Sequence, residues 1–114
     1  MEQLPIIDME EAMGQVDNDE EFLIELLTDF QEELDEKMRQ IETVINNSGD
    51  PERQLVIKRA AHSIKGTASN LMCSQLAYVA RSMEAANEQL NPETEYMALK
   101  TAYTNFKAWL DNQQ

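Results

Sequence analysis

Apolar residues recur along this chain at spacings of three and four, in long stretches that glycine and proline seldom interrupt. Phe22, Leu26, Phe30, Leu34, Met38, Ile41 and Ile45 keep that rhythm over several turns, which only a helix can gather on one side. They predict a helix from about Asp19 to Asn47, roughly 40 Å long at 1.5 Å per residue. The cluster Asp17-Asn18-Asp19 supplies its N-cap, and the acidic residues of its first turn suit the helix dipole. Before it, Asp8 can cap a short opening helix that ends near Gly14. After it, Asn46-Asn47-Ser48-Gly49 breaks the pattern, and Asp50-Pro51 predicts a third helix with an aspartate cap and proline in its first position. Ile57, Ala61, Ile64, Ala68 and Leu71 form the inner stripe of that helix. Ser74 can cap a fourth, with Leu76, Val79, Met83, Ala86 and Leu90 inward. Asn91-Pro92 opens a fifth, with Tyr96, Leu99, Tyr103, Phe106 and Leu110 inward. Four long amphipathic helices with short connections predict an all-α fold, an antiparallel up-down four-helix bundle with the short N-terminal helix as a lid at one end.

Length and charge narrow the function. With 114 residues and 42% apolar composition the chain can bury one modest core, so residues 1–114 are expected to form a single domain. Nine Lys and Arg against 22 Asp and Glu give a formal charge of −13, which repels nucleic acid and anionic lipid and points to protein partners. The start Met1-Glu2-Gln3-Leu4-Pro5 has no basic stretch or apolar run of a secretory signal. No segment reaches the roughly 20 apolar residues that span a bilayer. The expectation is a cytoplasmic, monomeric protein. Cys73 is the only cysteine, so neither an internal disulfide nor a cysteine-based zinc site can form, and a buried thiol is expected.

The chain has one histidine, His62, in the run Arg59-Ala60-Ala61-His62-Ser63-Ile64-Lys65-Gly66. At about 100° per residue it lies roughly 140° from the centre of the inner stripe and so points outward. Lys58, Lys65, Gly66 and Ser69 share that outer face. Arg53, Lys58, Arg59 and Lys65 put four of the nine basic residues on this one helix, a small positive island on an acidic protein. Gly66 costs the helix about 1 kcal/mol relative to alanine and adds nothing to the core. Two explanations fit: it opens the imidazole edge to an approaching group, or it permits close packing of a neighbouring helix.

Together these residues resemble a known family. Ala61-His62-Ser63-Ile64-Lys65-Gly66, followed by Ser69, Asn70 and Leu71, is similar to the His-x-x-Lys-Gly signature of histidine-containing phosphotransfer (HPt) domains. The stretch from Asp19 through Phe30 resembles the start of that family's second helix, and Ser82-Met83-Glu84 stands where the family commonly has Leu-Glu. The resemblance runs from about Ile7 to Gln89. One departure is Met72, at a position where the family usually has a second glycine.

The resemblance implies a helical bundle with an exposed phosphoacceptor histidine. It implies that His62 accepts a phosphoryl group through Nε2 from the aspartate of a response-regulator receiver domain and passes it to a second receiver, with a hybrid sensor kinase among the candidate sources of such a receiver. An ordinary imidazole is largely neutral near pH 7 and then nucleophilic. Lys65 is the first choice for contact with the phosphoryl oxygens, with Lys58 and Arg59 as supporting charges. Glu84, if it lies on an adjacent antiparallel helix, can accept the Nδ1 proton of His62; otherwise it is a solvated acid. Ser69 either holds a water or a phosphoryl oxygen or is a plain outward polar residue.

The chain has no glycine-rich phosphate loop, and no cofactor or metal is expected of it. It is expected to be a phosphoryl carrier rather than an enzyme, with magnesium and acid–base groups supplied by the receiver. Two other readings stay open: a docking-only helical module, and the phosphoacceptor domain of a chemotaxis-type kinase, whose donor would be an ATP-binding domain. A di-metal carboxylate bundle is excluded, because it needs paired Glu-x-x-His motifs and Arg59 stands three residues before the single histidine.

Overall fold

Residues 4–47, 49–85 and 92–113 are described in a computed structural model of the chain. Among them are five helices and no strand: α1 (Met9–Gln15), α2 (Glu20–Ile45), α3 (Arg53–Asn70), α4 (Ser74–Ala85) and α5 (Pro92–Asp111). The caps of the first two follow the sequence. Asp8 accepts a hydrogen bond from the Glu11 N–H and Asp19 from the Phe22 N–H, each satisfying a donor that the first helical turn leaves open.

Each long helix turns a row of apolar side chains to a common core, in which Phe30 and Phe106 meet with ring centroids 5.5 Å apart. The buried set among the described residues contains no charged side chain. α2 packs on α3, α3 on α4, α4 on α5 and α5 back on α2, while α1 leans on α2. Tyr96 reaches Glu42 (2.9 Å) and the Tyr103 hydroxyl donates to Asp35, so two tyrosines on α5 meet two carboxylates on α2 in reverse order along the chain. Desolvation, then the Glu42 hydrogen bond, push the Tyr96 hydroxyl up to about 12, which keeps it a donor.

Several details differ from the sequence reading. On α2 the buried row is Leu23, Leu27, Phe30, Leu34, Met38, Ile41 and Val44, whereas Phe22 is 46% exposed and Leu26 and Ile45 are half-buried. Successive steps of four advance about 40° round a helix, so two of them carry Phe22 off the face that Phe30 occupies; Leu23 stays on it. α3 begins at Arg53 and not at Pro51. The Asp50 carboxylate accepts from the Glu52 N–H (2.8 Å), which closes a local turn ahead of the helix instead of capping it. On the inner face of α3, Ala60 joins the predicted residues as a buried one, and Leu71 is half-buried beyond the last turn. Ser74 is the first residue of α4 rather than its cap, since the carbonyl of Cys73 already accepts from the Ala77 N–H. Val79 and Tyr103 are half-buried, with Ala80 and Ala102 taking the inner places. Ala86, Leu90 and Asn91 lie outside the described residues.

The α3–α4 turn carries a backbone strain. Met72 has φ 61°, in the left-handed region, where a side chain costs about 1–2 kcal/mol. Around it the Cys73 N–H bonds the Ala68 carbonyl (2.8 Å) and the Met72 N–H the Ser69 carbonyl (3.3 Å), the paired bonds of a Schellman helix end, where glycine is the usual residue. The N-terminal residues 4–8 form a strap beside this turn, with the Asp8 N–H bonded to the Met72 carbonyl (2.8 Å) and the Gln75 N–H to the Pro5 carbonyl (3.2 Å).

Candidate functional site

α3 presents the histidine because its inner stripe fixes its rotation. With Ile57, Ala61, Ile64 and Ala68 buried, His62 stands on the opposite side and its side chain is 68% exposed. The neighbouring helix supplies its partner: His62 Nδ1 lies 2.5 Å from Glu84 Oε2 on α4. Lys65 Nζ lies 2.6 Å from the other oxygen of the same carboxylate. One glutamate thus holds the imidazole and the lysine at once, in a side chain only 19% exposed. The hydrogen bond from Lys65, then that from His62, keep the Glu84 carboxyl below its ordinary value, against the opposing effect of desolvation. An ionised Glu84 is acceptor-only, so Nδ1 carries the proton between them, and in the neutral ring Nε2 is the nitrogen with the free lone pair.

Gly66 lies one turn beyond His62 on the exposed side of α3. A Cβ built there meets nothing within 4 Å, so close packing of a neighbouring helix does not explain the glycine. Its absence of a side chain leaves a bare strip of helix beside the imidazole. Lys58 and Arg59, one turn before His62, are exposed and make no ion pair among the described residues. Ser69 is exposed, and its carbonyl accepts from the Met72 N–H.

Two basic residues of the predicted island stand elsewhere in function. Arg53 turns away to the C-terminal end of α2, donating from Nε to the Val44 carbonyl (3.0 Å) and from Nη2 to the Ile45 carbonyl (3.3 Å). It caps the end of α2, adding a second hydrogen bond to the Val44 carbonyl, which also accepts from the Asn47 N–H, and one to the Ile45 carbonyl. Lys65 is not free toward solvent but paired with Glu84. The sequence suggests Lys65 for phosphoryl oxygens and Glu84 for His62, but does not show that Glu84 serves His62 and Lys65 together. The spacing held the signal, since His62 and Lys65, three residues apart, are neighbours on a helix surface and border the same groove. Ser63, which no sequence pattern marks, donates from Oγ to Glu33 Oε1 on α2 (3.1 Å) and ties the two helices beside the histidine.

Among the described residues no group of three His, Cys, Asp or Glu side chains is placed to hold a metal ion. Nor is any helix there long and apolar enough to cross a membrane. Cys73 is fully buried, and desolvation pushes its thiol up to about 12.

No curated protein sequence and no solved structure matches the chain. Residues 25–109, most of the chain and all of α3 with His62, Lys65 and Gly66, match the family model of the Hpt domain. Domains of this family are helical bundles that carry phosphoryl groups in two-component signalling and interact with receiver domains. An exposed histidine on the third helix, beside a lysine and a bare glycine, therefore stands within a matched domain: the chain belongs to the Hpt family.

Proposed function

We propose that this protein is a histidine phosphotransfer carrier of a phosphorelay, taking a phosphoryl group onto His62 Nε2 from a receiver aspartate and delivering it to another receiver. The observation that carries the reading is the state of the imidazole: Nδ1 is engaged by Glu84 at 2.5 Å, and the ring is 68% exposed beside a glycine with open space around it. The four long helices are the framework, an antiparallel up-down bundle that forms one domain and acts as a monomer in the cytoplasm.

In the step itself the lone pair on Nε2 attacks phosphorus while the bond from phosphorus to the aspartyl oxygen breaks in line. The carboxylate leaves as an anion, and the Nδ1 proton stays in place. Phosphorylated imidazole is then an imidazolium, and the Glu84 carboxylate faces its positive charge. Lys65, one turn from His62 and within reach of Glu84, exchanges part of its contact for the incoming phosphoryl oxygens. Lys58 and Arg59 add positive charge on the side that the partner approaches. Gly66 lets the partner's backbone come close, and Ser69 is a polar boundary of the same face. The carrier depends on the receiver for magnesium and for catalysis; its partners are receivers, including one within a hybrid sensor kinase.

The test is transfer from a panel of phosphorylated receivers with magnesium, run beside an ATP-charged histidine-kinase catalytic domain. Phosphate arriving from a receiver supports the proposal. Phosphate arriving only from the ATP-charged domain identifies a chemotaxis-type acceptor, and binding without transfer from either identifies a docking module.

A further inference from the structure

His62 lies as far before Cys73 in the sequence as Glu84 lies after it, and Cys73 closes the turn between the helices that carry them. α3 and α4 share the most extensive helix–helix contact among the described residues, and on α4 the residues four and seven before Glu84 are the small Ala80 and Ala77. From Cys73 to Glu84 a helix rises about 16 Å, so a swing of about 10° at the turn carries Glu84 about 3 Å. That displacement is enough to break hydrogen bonds of 2.5 and 2.6 Å.

What holds the turn is a set of backbone bonds centred on Met72. Its left-handed conformation (φ 61°) lets the Cys73 and Met72 N–H groups close the end of α3. Its carbonyl, turned outward, is taken by the Asp8 N–H at 2.8 Å. The strap is fastened again one residue into α4, where Gln75 bonds the Pro5 carbonyl through its backbone (3.2 Å) and the Leu4 carbonyl through Nε2 (2.8 Å). Gln75 Oε1 also accepts from Asn105 Nδ2 on α5 (3.3 Å). Strap, turn and two helices meet at this junction.

We propose that Met72 is a positioning residue for the His62 site: clasped by the N-terminal strap, its left-handed backbone sets where α4 stands against α3 and thereby holds Glu84 on His62 Nδ1. The proposal deepens the phosphotransfer reading and rests on it for its effect on transfer, while the pairing it concerns is read without any partner. Met72→Gly keeps the left-handed turn and is expected to keep the pairing. Met72→Val, β-branched and unsuited to that region, is expected to lose it.

The experiment is a nitrogen-15 spectrum of the imidazole in the full chain, unambiguous because His62 is the only histidine. Wild type and Met72→Gly should show one dominant tautomer with the proton on Nδ1. Met72→Val should show a mixture shifted toward Nε2 protonation, and Glu84→Gln marks the signal expected when the carboxylate pairing is gone. Gln75→Ala, which loosens the strap without straining the backbone, should move the spectrum in the same direction by a smaller amount and serves if Met72→Val does not fold. A folded Met72→Val with the wild-type tautomer, or an unmoved spectrum in Gln75→Ala where Met72→Val is unfolded, overturns the proposal and leaves Met72 a structural residue only. An unmoved spectrum in Glu84→Gln overturns the pairing and this proposal together. If the spectra respond as expected but wild type takes no phosphate from any receiver, the phosphotransfer reading fails and the positioning role stands.

Discussion

Replacing Gly66 by alanine should make this protein more stable and a worse phosphotransfer carrier. Gly66 lies inside α3, it does not have a positive φ, and a Cβ there would meet nothing within 4 Å. None of the reasons that make glycine necessary in a fold applies. The substitution therefore gains the helix-propensity difference of about 1 kcal/mol, mainly by restricting the unfolded chain. With a urea dependence of about 2 kcal/mol per molar, the unfolding midpoint followed by circular dichroism should rise by about 0.5 M. The melting temperature should rise by roughly 4 °C. Transfer from a phosphorylated receiver should slow in the same variant, and slow further in Gly66→Gln, whose side chain lies across the strip beside His62 while remaining compatible with a helix. A lower urea midpoint for Gly66→Ala would show that the glycine is structural. A raised midpoint with undiminished transfer in both variants would refute the argument that the bare strip admits the partner.

Other consequences are tested as directly. Glu84 has a carboxyl held below its unfolded value of 4.5, so its contribution to stability is complete above that pH and is lost as the pH falls through the lowered folded-state value. The stability advantage of wild type over Glu84→Gln should shrink as the pH is lowered below about 4.5 in chemical denaturation, and an advantage that grows on acidification would contradict the assignment. Lys65→Ala should reduce the rate of transfer more than it reduces the urea midpoint, because the lysine is partly exposed and Glu84 keeps its hydrogen bond with His62; equal losses in both would deny it a part in the chemistry. Cys73, fully buried with its thiol pushed up to about 12, should react with a thiol reagent only as the fold opens. Rapid labelling of the native protein would show that the turn between α3 and α4 is open.

The helices were legible in the sequence because their buried rows are long and their caps are standard. Asp8 and Asp19 sit where cap chemistry places them, and Phe30, Leu34, Met38 and Ile41 are buried as their spacing requires. What the sequence obscured were choices between neighbours of similar chemistry. Phe22 and Leu23 are both apolar, and only the accumulated rotation of α2 decides that Leu23 goes inward. Asp50-Pro51 reads as a helix start, but Asp50 spends its carboxylate on the turn before it. The exposure of His62 followed from helical phase alone. Its relation to Glu84 did not, because contact between α3 and α4 depends on the turn at Met72, whose left-handed backbone no periodicity reveals. Arg53 and Lys65 show the same limit for charge: counted along α3 they enlarge a positive island, yet one closes the end of α2 and the other is neutralised by Glu84.

The phosphoacceptor role of His62 is tested by incubating wild type and His62→Gln with a phosphorylated receiver and magnesium, then mapping the phosphate and its stability. Wild type should carry an acid-labile, base-stable phosphate on His62 Nε2, and His62→Gln none while the receiver still binds. Equal labelling of both proteins, or phosphate mapped to another residue, would contradict it.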